Sequence, residues 1–547
     1  MRHRLARGCA IGVTAALLQA CGGSGGGSDD AGPPPLTLPA GRVSAASPVA
    51  GGCTGGSASG SFYANAEVEP MLARQPANGE QWVAIWQQDR WTNGGSRAIV
   101  SASTVDGGLN WQRTLHPFSR CGGAVPGSAG DFERATDPWV DIGSDGVVHV
   151  MAMGLSGGLF TSSGATAMLA SRSTDGGRTY SLPQRLVADF GPAYANDKNT
   201  LTVDALDPRY VYGVWDRLDA AGNGPTLLAR STNAGLGWEP AREIFRPTPP
   251  AGGVAQTIGN RIVVLPGGTD SAALLNVFTQ IDTAASTVNR VRVIRSDDHG
   301  QTWGAPVTVA EHRGVGTTDA ATGTAIRDGS IVPSIAAAPD GTLWVAWQDS
   351  RFSGGVRDAI AVSRSTDGGR TWSAPVAANG SLAVGAFTPT LAVRADGRAG
   401  IVYFDLRPDT TSVSTLLAAA WLASSSDGVT WRDTPVWSTF DLTQAPSAGG
   451  LFLGDYMGLI STGSEFVPLL ALSAVDPDNR TDVYTLRVTP LVAAAVQSGR
   501  LARALAVAPA TAEADFQARR QAFTRAVMER RVADWGQRVG LDRRPSR

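Results

Sequence analysis

Short apolar runs bounded by Gly, Asp or Pro recur along most of the chain. QWVAIW at 81–86, YVYGVW at 210–215, TLWVAW at 342–347 and RAGIVYF at 398–404 are the clearest. Runs rich in β-branched and aromatic residues between turn residues read as strands. An extended stretch precedes each run, and an alternating stretch such as AIAVSRS at 359–365 follows it and leads into a polar turn that ends in an aromatic residue.

That turn is itself a repeat. STDGGRTW at 365–372 has close copies in TVDGGLNW at 104–111, STDGGRTY at 173–180 and SDDHGQTW at 296–303. STNAGLGW at 231–238 and SSDGVTW at 425–431 are weaker copies, the first with Asn233 in place of the acid. Copies begin about 60–70 residues apart, the length of a four-stranded sheet with its turns. In each, the Asp carboxylate can accept bonds from backbone N–H groups of its own turn, and Gly supplies positive φ without a steric cost. Asp106, Asp175, Asp298 and Asp367 are therefore expected to be structural. Opening strands begin near Glu69-Pro70, Asp137-Pro138, Asp197-Lys198, Asn260-Arg261, Pro333, Pro389 and Asp455-Tyr456, one more than the turns. The pattern predicts an all-β β-propeller, with seven blades preferred and six as the alternative. Such a ring protects its edges and usually closes with a strand from the far terminus, here expected around 61–68.

The ends differ in character. Arg2, Arg4 and Arg7 precede an apolar run over 9–18, too short to span a membrane and arranged as a signal peptide. Leu-Gln-Ala-Cys at 18–21 resembles a bacterial lipobox, which implies lipidation of Cys21 and anchorage at the cell envelope, expected to be the outer membrane. A Gly/Ser/Pro-rich stretch follows, with the composition of a tether. Cys53 and Cys121 remain, and in an oxidising compartment they are expected to pair. After 488 the chain turns rich in Ala, Leu and Arg. Phe516, Phe523, Val527 and Val532 lie at helical spacing among arginines, a pattern that suits either an anionic membrane or the protein's own surface. The expected organisation is a signal peptide over 1–21, a tether over 22–60, a propeller over 61–489 and a helical, Arg-rich tail over 490–547. A net charge of −2 gives no reason to expect a nucleic-acid partner. Nothing matches a phosphate loop, zinc spacing or a nucleophile elbow, so no cofactor or metal is expected, and a monomer is.

Two motif classes fall on the face opposite the repeated turns. One ends the second strands and pairs a carboxylate with Arg90, Arg217, Arg351 or Arg407, side chains suited to bidentate capture of a carboxylate or to salt bridges between blades. The other opens the innermost strands and should converge on the central channel. It comprises Glu133, Arg134, Asp137, Asp197, Lys198, Asn260, Asp455 and Tyr456, either a ligand site or a polar ring around water. Lys198 is the one lysine in a chain that otherwise uses arginine.

The turn resembles the Asp box of the sialidase superfamily. EVEP at 67–70, ATDPWV at 135–140, NDK at 196–198 and FLGDYMGL at 452–459 resemble bacterial secreted sialidase-like proteins with such repeats. The resemblance implies an arginine triad for a sugar carboxylate, drawn from Arg90, Arg217, Arg351 and Arg407. It also implies a Tyr nucleophile at Tyr456, with Asp137 or Asp197 as acid/base and Glu133 as the only glutamate on the right face. No Arg-Ile-Pro motif opens the propeller. The readings that follow are a glycosidase acting on sialylated or other acidic glycans and, alternatively, a non-catalytic glycan- or protein-binding propeller or an envelope scaffold.

Overall fold

Most strands over 67–485 fall into antiparallel units that each reach four strands, the last one with help from the N-terminal end. The computed structural model describes residues 41–56, 60–266, 272–284, 288–491 and 510–536. The expected signal peptide, Cys21 and the expected tether as far as residue 40 lie outside them, as does the chain beyond 536. Unit 1 is Glu67–Arg74, Trp82–Arg90, Ser96–Thr104 and Gln112–His116, and a single bridge from Ser96 to Ala135 joins it to unit 2, which opens with Arg134–Ile142. Units 3 to 6 open with Tyr194–Val203, Ala255–Val264, Ser334–Ala337 and Ala386–Val393. Unit 7 has Gly458–Thr462, Glu465–Ser473 and Thr481–Thr485, and takes its fourth strand, Gly41–Arg42, from the N-terminal end. The opening strand of each unit lies beside that of the next, and unit 7 lies beside unit 1.

Closure by Gly41–Arg42 corrects two expectations. The closing strand is not at 61–68: Glu67–Arg74 is the opening strand of unit 1 and Phe62 only bridges Trp91. The tether expected over 22–60 is structured from Gly41, and Ser44 binds Asp482 at 3.0 Å. Cys53 and Cys121 form the expected disulfide, which fastens this segment to the connection between units 1 and 2.

Second strands are apolar over most of their length, up to the polar residues at their ends, because neighbouring units cover both their faces. Trp82, Trp86, Trp215 and Trp347 are fully buried there. At the repeated turn, Asp367 Oδ1 accepts from Ser365 Oγ at 2.8 Å, Arg370 N at 3.0 Å and Thr371 N at 2.9 Å, while Oδ2 accepts from Thr371 Oγ1 at 2.6 Å. In the weaker copy, Asn233 Oδ1 accepts from Ser231 Oγ and Gly237 N at 3.0 and 2.9 Å. An amide oxygen thus reproduces much of the pattern. Asp367→Asn is expected to change stability by less than about 0.5 kcal/mol. Asp367→Ala leaves turn donors unpaired and should cost about 1–2 kcal/mol. Urea unfolding of the two variants against wild type measures both.

The box turns join third to fourth strands, so they share one face. Connections between second and third strands, and between units, lie on the other. That second face holds the candidate site. Helix α1, Ala510–Gly536, packs on it, with Phe516, Phe523 and Val527 buried. Among the described residues no helix is long and apolar enough to cross a membrane.

Candidate functional site

The opening strands share a local distortion. Register shifts occur between Val68 and Met71, Thr136 and Trp139, Asp197 and Thr200, Ile258 and Arg261, and Phe387 and Thr390. Each is a β-bulge, which re-aims a side chain. The bulged residue has positive φ: Glu69 at 53°, Asp137 at 53°, Lys198 at 49°, Gly259 at 69° and Thr388 at 52°. For a non-glycine residue that conformation costs roughly 1–3 kcal/mol and concentrates at functional sites. Here it brings three charged side chains from separate units together.

Lys198 is the centre of the cluster. Its Nζ lies 3.2 Å from Glu69 Oε1, 3.5 Å from Asp137 Oδ1 and 2.5 Å from Asp455 Oδ2. Asp455 also accepts from Arg327 Nε at 3.2 Å and Nη2 at 2.9 Å. Arg327 arrives on a long connection between units 4 and 5, where Ile326–Arg327 pairs in parallel with Leu451–Phe452. Gly329 permits this approach, since a Cβ there would lie 2.1 Å from the Asp455 carbonyl oxygen. Glu69 receives a hydrogen bond from Gln87 Nε2, and Arg90 Nη1 donates to Gln87 Oε1 at 2.8 Å.

Burial, with Asp137 and Asp455 nearby, pushes the Glu69 carboxyl up to about 8 in spite of Lys198. Burial would also raise Asp137, but the Lys198 ammonium and a hydrogen bond from Glu69 outweigh it and hold the group below the usual range. For Asp455 burial is likewise outweighed, by Arg327 and Lys198, and the group lies well below that range. Of the three carboxyls around Lys198, Glu69 is thus the one pushed up and Asp137 and Asp455 the ones held low. A carboxyl raised in the folded state contributes stability in full below its unfolded value of 4.5, and loses it as pH rises through about 8. Asp137 and Asp455 act in the opposite sense and lose their contribution as pH falls. Glu69→Gln is expected to flatten the decline in stability between about pH 5 and 8, measured as urea midpoints across a pH series.

Beside the cluster lies a cavity of about 80 Å³ lined by Arg90, Asp137, Asp197, Lys198, Arg327 and Asp455, with Val527 of α1 among its walls. A second cavity of about 30 Å³ lies next to it in the channel, against Trp139, Arg261 and Tyr456. The channel widens at the box face to about 350 Å³. Among the described residues no group of three or more His, Cys, Asp or Glu is arranged to hold a metal ion. Lys198 occupies the space between the three carboxylates.

Asp137, Asp197, Lys198 and Asp455 meet at this cavity, and Arg90 joins them. The remaining candidates lie elsewhere. Tyr456 packs edge-on against Trp139 at 5.2 Å, and its hydroxyl donates to the Pro138 carbonyl at 2.8 Å, with no carboxylate as partner. Burial and the nearby carboxylates hold that hydroxyl well above its ordinary value. Glu133 accepts from Gly157 N at 3.2 Å. Arg134 stacks over Trp91 at 4.1 Å and donates to Asn93 and to carbonyls. Asn260 ties units 3 and 4 together through Thr226 and Asn276.

The expected arginine triad does not converge on one point. Arg217 pairs with Asp189, Arg351 with Asp349, and Arg407 with Asp405 and Asp433. Glu133 is also not the only glutamate on this face, because Glu69 stands in the cluster itself. Aligning the bulged positions places Glu69-Pro70 with Asp137-Pro138 and so carries the signal for it. Arg327 lies on an insertion without a counterpart in the other units, and nothing in the repeat points to it.

No protein-family model matches the sequence, and no curated protein matches it significantly. Similar solved structures include a protein of unknown function from Dyadobacter fermentans, at 14% identity and TM-score 0.42, covering 79% of this chain and 96% of that one. The Hadza microbial sialidase is similar at 17% identity and TM-score 0.41, covering 74% and 76%. An α-L-arabinofuranosidase of Fusarium graminearum is similar at 11% identity and TM-score 0.40, covering 82% and 98%.

Proposed function

We propose that the seven units are the blades of a closed propeller, and that the protein is a glycoside hydrolase whose acid–base pair is Glu69 and Asp137. One observation carries this reading: the Glu69, Asp137 and Asp455 carboxyls meet around the Lys198 ammonium at the channel mouth, with Glu69 pushed up to about 8 and the two aspartates held low. Glycoside cleavage needs a carboxylic acid that still holds its proton near neutral pH and a second carboxylate that is ionised. Glu69 donates to the leaving oxygen. As the glycosidic C–O bond breaks, Asp455, kept ionised by Arg327 and Lys198, faces the positive charge that develops on the sugar ring; a water then bonds to the anomeric carbon, and Asp137 takes its proton and passes it back to Glu69. Arg90 and Arg327 line the same cavity and suit an acidic sugar, the role first expected of the dispersed arginines. Asp197 lines the cavity as a ligand contact, and Tyr456 supports the channel wall.

A panel of 4-methylumbelliferyl glycosides, including an α-sialoside, a β-uronide and an α-L-arabinofuranoside, tests this assignment. Turnover is expected to fall at least 100-fold in Glu69→Gln and to stay within threefold of wild type in Tyr456→Phe. Loss in Tyr456→Phe with Glu69→Gln unaffected would return the nucleophile to the tyrosine.

A second reading, a non-catalytic glycan- or protein-binding propeller, is favoured by the cavity itself. At about 80 Å³ it is smaller than the roughly 300–1,000 Å³ usual for ligand pockets. Glycan-array binding without turnover of any substrate would establish it. For either reading we propose envelope anchorage through a lipidated Cys21; mass spectrometry showing an unmodified mature N-terminus would refute that anchorage.

A further inference from the structure

We propose that helix α1 is a displaceable cap on the candidate site, seated over the channel mouth and released when a glycan enters. The inference rests on the glycoside-hydrolase reading above. The helix touches the propeller along one narrow stripe, with Phe516, Arg520, Phe523 and Val527 buried and the residues between them mostly exposed. Phe523 and Val527 cover an apolar patch of Ile258, Ile281 and Ile331, and Val527 forms part of the wall of the cavity that holds Lys198 and Asp455.

The underlying face is shaped for this helix. A Cβ on Gly355 would come within 2.5 Å of Phe516, and one on Gly316 within 2.9 Å of Phe523. Polar and cationic contacts fix its register, among them Asn289 Nδ2 donating to Thr524 Oγ1 at 3.0 Å, Gln256 Nε2 lying 3.0 Å from Met528 Sδ, Arg520 lying 3.6 Å from Glu311, and Arg313 over the Phe516 ring. The helix contributes no strand to any sheet, so the units keep their pairing when it leaves. With it seated, the cavity has room for a few waters, whereas a sugar ring needs a pocket several times larger. Withdrawing α1 removes Val527 from the wall and uncovers an isoleucine-lined mouth above the charged cluster, a polar floor with an apolar rim of the kind ligand sites use.

Two full-length variants test the cap. Asn289→Cys with Thr524→Cys joins two side chains already in contact and locks the helix, while Phe523→Asp with Val527→Asp releases it. Hydrogen exchange over 255–264 and 327–333 is read alongside turnover of the glycoside panel, with every protein kept oxidised so that Cys53–Cys121 stays closed. Exchange is expected to rise at least tenfold in the released form and fall at least tenfold in the locked form relative to wild type, with turnover moving the same way. Exchange that follows the helix while no form cleaves any glycoside upholds the cap and removes the hydrolase reading. Turnover and exchange in the locked form equal to wild type overturn the cap and leave the hydrolase reading standing, and this comparison decides the matter even if the released variant fails to fold.

Discussion

Lys198→Met is expected to destabilise the protein by about 3–5 kcal/mol at pH 7.5, measured by guanidinium unfolding. The ammonium touches Glu69, Asp137 and Asp455 at once, and its side chain is only 10% exposed. Removing it leaves Asp137 without its main counter-charge in a site that water barely reaches, the circumstance in which breaking a buried pair costs most. Arg327 still holds Asp455, so the loss falls chiefly on Asp137 and Glu69.

The sign of the pH dependence follows. In wild type, Asp137 and Asp455 lie below their ordinary range and stabilise the fold above it, a contribution that disappears as pH falls. Without Lys198, burial dominates Asp137, its proton is retained to higher pH, and the variant recovers stability as pH falls. The gap between wild type and variant should therefore narrow below about pH 5. Lys198→Arg is not expected to restore the site, because a planar fork cannot place one charge among three carboxylates as a compact ammonium does. A loss below about 1 kcal/mol at pH 7.5 would mean that water screens the cluster and that its groups titrate independently.

Much of this architecture was legible in the chain, and the limits are instructive. Box turns are local devices in which Asp367 binds atoms no more than four residues away, so their spacing announces the units directly. The start points at Glu69-Pro70, Asp137-Pro138 and Asp197-Lys198 fall on bulges for the same local reason. Gly41–Arg42 could not be read this way. It is a two-residue strand within a Gly/Ser/Pro-rich stretch, and its pairing with Tyr484 and Thr485 spans nearly the whole chain. The same holds for the cluster. Periodicity marks Lys198 as inward-facing, but only the packing of unit 7 beside unit 1 sets it next to Asp455, and only an insertion outside the repeat delivers Arg327. For Tyr456 the motif suggests a nucleophile, while the fold packs its ring on Trp139 and turns its hydroxyl to the Pro138 carbonyl rather than to a carboxylate, contacts that no local pattern announces.

Removing the disulfide as Cys53→Ser with Cys121→Ser should cost about 4 kcal/mol. The bridge spans 68 residues, and closing a loop of that length withdraws roughly this much chain entropy from the unfolded state. Both cysteines must be replaced, since a single substitution leaves a thiol free to pair between molecules. The folded state should change little. Arg97 Nη1 still reaches the Cys53 carbonyl at 2.8 Å, Ser47 Oγ still donates to Asp89 at 2.6 Å, and Arg134 Nε still donates to the Gly55 carbonyl at 3.1 Å. These contacts hold the N-terminal segment against units 1 and 2 without the covalent link. Equilibrium unfolding should therefore show a lower midpoint, with hydrogen exchange over 47–56 faster and exchange over 194–203 unchanged. If exchange over 194–203 rose as well, the segment would be supporting the charged cluster across the channel face, and the bridge would belong to the site as much as to the fold.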